Sequence, residues 1–327
     1  MVVLITQHPA PMTNKIVSYL TVLGTGFLLV SCFAPEKTYT RDFEETFSGI
    51  KEIEIDGRFL EISYEGREGD EDVFLNAYLE LPESSDLDIK YRKSGSKLKI
   101  EVVGDASLSG WNFGKKQLNG FISLTGPDHI KLNFVCNSGS IDVMNVNHKN
   151  IHLQANSGSI KASEIEVDHI YLKASSGGIK GEGLYGKINC EVNSGAVSLK
   201  DVEGDVEAKG SSGALKFENV EGRVDAKVNS GAIKLIKVQE LGELNASSGS
   251  IKATGSGLGK HTSLTANSGS INIQTNSVLD EFNYDLTASS GSIKVGDRSS
   301  GKKLVIDNQS NHTVKGKVTS GSLKISN

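Results

Sequence analysis

The chain has 327 residues, with 35 basic against 40 acidic side chains and a formal net charge of -5. That balance excludes a nucleic-acid binder defined by overall basic charge. With 36 glycines, 5 prolines and 6% aromatics, the composition describes a β-rich fold with many tight turns.

In chain order the N-terminus comes first. Lys15 precedes an apolar run from Ile16 to Val30, closed by Leu29-Val30-Ser31-Cys32. The run has the length of a signal-peptide core and is shorter than a comfortable membrane span. Its end looks like a bacterial lipoprotein processing site, with small Ser31 just before Cys32. Residues 1–31 then read as a signal peptide, Cys32 as the lipidation site and residues 32–42 as a short tether, with Met12 as an alternative start. Diacylation of Cys32 supplies the acyl chains that stable anchoring needs. The plainer alternative is a short uncleaved anchor.

Residues 43–136 alternate polar and apolar in stretches such as "KEIEIDG", "VFLNAYLEL" and "HIKLNFVC". These are strands without a regular period, and they read as irregular N-terminal coils or a small sheet capping the rest of the chain. A loop at 104–120 interrupts them with Trp111 and Phe113 beside Lys115 and Lys116. An aromatic and basic loop is the leading candidate ligand contact on the chain, with covering the end of the core as the plainer alternative.

From residue 137 a motif of Asn or Ser, then Ser-Gly, recurs with its glycine at 139, 158, 177, 195, 213, 231, 249, 269, 291 and 321. The intervals of 18 to 20 residues that dominate this series mean stacked coils. Between corners the apolar positions step by two, so each coil carries about three short strands around a dry core. The expected fold is an all-β, single-stranded parallel β-helix, right-handed by general crossover chirality. Regular coils run over 137–308 and a closing segment over 309–327. Ser-Gly is the corner, and Asn137, Asn156, Ser175, Asn193 and their successors are expected to stack as a polar ladder about 4.8 Å apart. Cys136 and Cys190 point inward about three coils apart, too far for a disulfide.

The order of lipidation site, irregular strands, "IKLNFVCNSGSIDVMNV" and "SSGALKFENVEGRVDAKVNSGAIKL" resembles the bacterial putative-adhesin family of β-helical envelope proteins. The likeness covers residues 43–327. It implies the fold and an envelope location, on the outer membrane of a diderm or the outer face of a single membrane. It brings no catalytic motif and no cofactor.

Three features remain as candidate sites. His129 and His148 each lie eight residues before an Asn-Ser-Gly corner and are expected to stack about 5 Å apart, close enough to share a transition metal; two solvated corner histidines is the simpler reading. Lys161, Lys180, Lys216, Lys234, Lys252, Lys294 and Lys324 form a ladder on one outer face, interrupted by Asp142, Ser198 and Asn272. Such a ladder resists sideways aggregation or tracks an anionic polymer. Finally, residues 37–103 hold 17 acids against 10 bases, whereas 294–327 hold 7 bases against 2 acids. Lys302, Lys303, Lys315 and Lys317 make that far end a candidate contact for an anionic glycan, an envelope polymer or a host surface. The expected function is a non-enzymatic, lipid-anchored adhesin or envelope scaffold. The rival is a β-helical polysaccharide lyase or hydrolase, which needs carboxylates grouped with sugar-stacking aromatics.

Overall fold

Alternation becomes strand almost everywhere. The computed structural model describes residues 38–83, 85–104 and 119–327; Cys32 and the loop residues Trp111, Phe113, Lys115 and Lys116 lie outside them. The N-terminal strands are β1 (Thr38–Ser48), β2 (Glu52–Asp56), β3 (Glu61–Arg67), β4 (Asp72–Pro82), β5 (Asp88–Ser94), β6 (Lys97–Val103), β7 (Asn119–Pro127) and β8 (Lys131–Cys136). The repeat is carried by β9 (Ile141–Ala155), β10 (Ile160–Ala174), β11 (Ile179–Ser194), β12 (Val197–Glu203), β13 (Val206–Ser256) and β14 (Ser263–Thr275). The chain ends with β15 (Asn283–Val295), β16 (Arg298–Ser300), β17 (Lys303–Ile306) and β18 (Thr313–Ser326). Among the described residues the one helical element is a 3-10 turn at Leu279–Glu281.

The body is all-β and solenoid-like, with successive coils paired in parallel. Ile141 pairs with Ile160 and Ile160 with Ile179, so a residue meets its equivalent one period on. Columns of inward side chains result. One runs Val143, Ala162, Gly181, Leu199, Phe217. Across the core another runs Phe134, Leu153, Leu172, Cys190, Ala208. Large faces small within a coil, Ala162 with Leu172 and Leu199 with Ala208, as close packing demands. Where both are small, at Gly181 and Cys190, the neighbouring Leu184 and Leu199 fill the space, and a Cβ on Gly181 would lie 2.6 Å and 2.8 Å from their methyl carbons. The two remaining cysteines are buried and free. Cys136 pairs with Ala155, Ala155 with Ala174 and Ala174 with Val192, so three coils separate its level from that of Cys190. Burial pushes their thiols up to about 11 and about 12, which leaves no reactive thiolate at neutral pH.

The Ser-Gly corner is tight because each coil's backbone rests on the last. Gly231 adopts φ +148°, and a Cβ there would sit 1.8 Å from the carbonyl oxygen of Gly213. No other residue fits without displacing backbone. The polar ladder begins as expected: Asn156 donates its side-chain amide to Oδ1 of Asn137 at 2.8 Å. A second corner uses glycine in only two coils, at Gly183 and Gly255, with φ of 65° and 60°. Asn145, Glu164, Asp201, Asn219 and Lys237 all adopt left-handed φ of 50° to 57°, and the regular pairing on both sides holds them there at a cost of about 1–2 kcal/mol each.

Both ends depart from chain order. β18 lies between β14 and β15, with Ile271 paired to Leu323 and Leu323 to Ile293. The same glycine contact links Gly321 to Gly269 and Gly291 to Gly321. The final segment is therefore the last-but-one coil, which explains the long interval between Gly291 and Gly321. At the other end β2 sits between β6 and β8, and β3 between β7 and β9. Antiparallel strands then finish each edge: β16 and β17 on β15, β5 on β6, and β4 followed by β1 on β7. Capping parallel coils with antiparallel pieces blunts a surface that would otherwise recruit further strands.

Side chains close the N-terminal end of the core. Arg41 on β1 bridges Asp88 at 2.7 Å, Tyr91 donates to Glu45 at 2.7 Å, and the Lys93 ammonium donates to the Ser48 carbonyl at 2.6 Å. Phe47 meets Tyr91 edge-on at 5.6 Å, and Tyr39 and Phe43 also rest on the core. The irregular strands thus cover the first coils.

Candidate functional site

The lysine ladder is a real column of one face, in an order that differs from the sequence. It runs Asp142, Lys161, Lys180, Ser198, Lys216. The stacking of Gly213, Gly231 and Gly249 carries it on through Lys234 and Lys252, and then come Asn272, Lys324 and Lys294. The insertion of β18 is what sets Lys324 beside Asn272.

The two halves of this column differ electrostatically. In the first, Lys161 is held by Asp142 at 3.0 Å and Lys216 by Glu218 at 2.7 Å. Lys200 beside it is held by Glu182 at 2.7 Å and Asp201 at 3.0 Å, and hydrogen bonds to Glu182 and Asp201 lift its pKa. In the second, Lys234, Lys252, Lys324 and Lys294 are exposed and form no ion pair among the described residues. Around them one parallel row is Ser248, Ser268, Ser320, Ser290, and another is Thr254, Gln274, Ser326. No carboxylate interrupts these rows. Four steps of about 4.8 Å make a basic, hydroxyl-rich track of about 19 Å along the axis.

The basic residues of the far end are divided rather than gathered. Lys315 and Lys317 pair with Asp285 and Thr287, and Thr287 pairs in turn with Lys303; these lie on the strand before the Ser-Gly corner, while Lys324 and Lys294 lie on the strand after it. Lys303 approaches Asp285 at 3.9 Å, and Lys302 lies in the bend before β17.

The histidines turn to local partners. His129 Nδ1 lies 2.9 Å from its neighbour Asp128, and His148 Nδ1 accepts the Asn150 backbone N–H at 3.4 Å. Asn147 donates its backbone N–H to the Asp128 carbonyl, so the two stretches are adjacent. Beside them a depression of about 500 Å³ is lined by Glu65, Arg67, Glu68, Asp128, Glu164 and Glu166, with Arg67 paired to Glu65 and no aromatic side chain. Among the described residues no group of three or more His, Cys, Asp or Glu side chains is placed to hold a metal ion. No described helix is long and apolar enough to cross a membrane.

Together these features define an all-β, solenoid-like protein whose distinctive surfaces are open and charged. The model of the Toastrack DUF4097 family matches residues 50–240 and 184–326, and the chain belongs to that family. No curated protein matches it in sequence. Among solved structures it is similar to a putative adhesin from Bacteroides fragilis at 13% identity and TM-score 0.38, over 89% of this chain and 97% of that one. A putative cell adhesion protein from Clostridium sporogenes matches at 12% identity and TM-score 0.25, over 88% and 99%. A putative lipid binding protein from Parabacteroides distasonis matches at 15% and 0.34, over 90% and 98%. Similarity at that level leaves function to the surface of this chain itself.

Proposed function

We propose that the protein is a non-enzymatic component of the bacterial cell envelope, anchored by lipid at Cys32 and wound as a right-handed parallel β-helix, that holds a basic track away from the membrane to bind an anionic polymer. The observation that supports this reading is the run Lys234, Lys252, Asn272, Lys324, Lys294, without an ion pair among the described residues and flanked by hydroxyls, whereas in the first half of the column Lys161 and Lys216 are paired and only Lys180 is not. Unpaired ammonium groups in line are free to exchange water and counterions for phosphate, sulfate or carboxylate groups, an attraction that salt screens. The reading makes it an adhesin or an envelope scaffold according to whether the polymer is a host's or the cell's own.

Two results are expected. Reversing Lys252, Lys294 and Lys324 to Glu should lower retention on immobilised heparin-like or teichoic-type polymer at low salt by at least about tenfold, equivalent to about 1.4 kcal/mol. Reversing Lys302, Lys303, Lys315 and Lys317 should weaken it less, through the long-range field alone, and reversing Lys161 and Lys216 least. Wild-type protein that shows no salt-dependent retention on either polymer would rule the reading out. For the anchor, Cys32→Ala should abolish labelling by a fatty-acid analogue and release the protein from membranes. Unchanged labelling and partition would refute lipidation at that residue.

A further inference from the structure

A different surface occupies the N-terminal end of the same face, where β1, β4, β7 and β3 lie side by side. Their outward residues fall in rows across the strands. Thr46, Phe74 and Thr125 make one row, Glu44, Asn76 and Ser123 the next, and Asp42, Tyr78 and Phe121 the third. Phe74 is 46% exposed and Phe121 37%. Tyr78 and Phe121 stack with centroids 6.1 Å apart and planes at 22°. In the middle row Ser63 of β3 donates to Ser123 at 2.9 Å. A shallow depression of about 750 Å³ covers the first two rows, lined by Glu44, Thr46, Phe74, Asn76, Ser123 and Thr125, and the Tyr78–Phe121 pair stands in the next row, outside it.

We propose that this face binds a linear glycan of neutral pyranose rings. Phe74 and Tyr78 are four residues apart on one strand, about 13–14 Å, so two aromatic stations are separated by a strip of amide, hydroxyl and carboxylate groups. A sugar ring presents weakly positive C–H groups on one face, which the negative π-face of an aromatic ring attracts, and hydroxyls around its rim. End rings stack on Tyr78–Phe121 and on Phe74, and the rings between give hydroxyl hydrogen bonds to Glu44 and exchange them with Asn76 and Ser123. Asp42, Glu44, Glu61 and Glu80 surround the site and repel polyanions. A protein partner is poorly matched, because the polar row divides the apolar area that a protein interface places at its centre. The site is independent of the lysine track in position and in charge, so either can fail without the other.

The test is titration calorimetry of the purified full-length protein with cellopentaose and with chitopentaose. At least one is expected to bind, with Phe74→Ala and Phe121→Ala each weakening it about three- to tenfold. Asn76→Ala should weaken the same sugar, and Lys252→Glu should leave it unchanged. All these side chains point outward, and unchanged melting temperatures check that the variants fold. Absence of binding to both pentasaccharides overturns the proposal, as does binding that survives Phe74→Ala and Phe121→Ala combined. Preference for a heparin-like fragment at this face overturns it too. Cleavage of either sugar would overturn the non-enzymatic reading.

Discussion

Leu235→Asp should unfold several coils at a temperature where the wild-type chain is intact, whereas Lys234→Asp next to it should melt almost normally. Leu235 is 0% exposed, while Lys234 is exposed. It occupies the column that holds Leu199 and Phe217, one coil beyond Phe217. Losing its burial removes about 1.5–3 kcal/mol, and the carboxylate that replaces it finds no donor among aliphatic neighbours, which adds the desolvation penalty of an unpaired buried charge. In a solenoid each coil is supported only by its two neighbours, so the damage spreads along the stack until it meets coils that hold on their own. Lys234 is exposed and makes no ion pair among the described residues, so replacing it leaves the core untouched. Thermal melting of the two variants side by side is the check, and equal stability would show that inward and outward have been exchanged.

The parts of this architecture that repeat were legible in the sequence. The glycine period, the inward columns and the placement of Cys136 and Cys190 all follow from alternation within a coil, because a one-residue slip would turn every apolar side chain outward. The spatial order of the coils was not legible. Gly269, Gly291 and Gly321 sit in near-identical motifs, so each coil's edge accepts any of the others, and sequence order is the only cue a reader has. The left-handed corner left only a scattered signal: Asn145, Gly183, Asp201, Asn219 and Gly255 favour that conformation and recur at the coil period, but Glu164 and Lys237 interrupt the series with no such preference, and pairing on both sides imposes it there. Lys302, Lys303, Lys315 and Lys317 are neighbours in sequence with Lys324, but the Ser-Gly corner at Gly321 turns the chain between them. Phe74, Tyr78 and Phe121 were hidden for the opposite reason. In "VFLNAYLEL" and "GFISLTG" the aromatics alternate with aliphatics, and only the burial of Val73, Leu75 and Ala77 shows which set faces out.

The basic track exists because β18 is inserted between β14 and β15, and a pair of cysteine substitutions tests that order directly. Asn272 pairs with Lys324, and Lys324 with Lys294. Adjacent strands lie about 4.8 Å apart, within the Cα separation a disulfide spans, whereas two strands apart, at about 9.6 Å, lies beyond it. All three side chains are exposed and the native Cys136 and Cys190 are buried, so in a Cys32→Ala background mild oxidation acts on the introduced pair. Asn272→Cys with Lys324→Cys should close a disulfide in nearly all molecules, seen as loss of two titratable thiols and a bridged peptide by mass spectrometry. Asn272→Cys with Lys294→Cys should remain reduced. The reverse outcome, a bridge from 272 to 294 and none to 324, would mean that the coils stack in sequence order and that the track is not assembled as described.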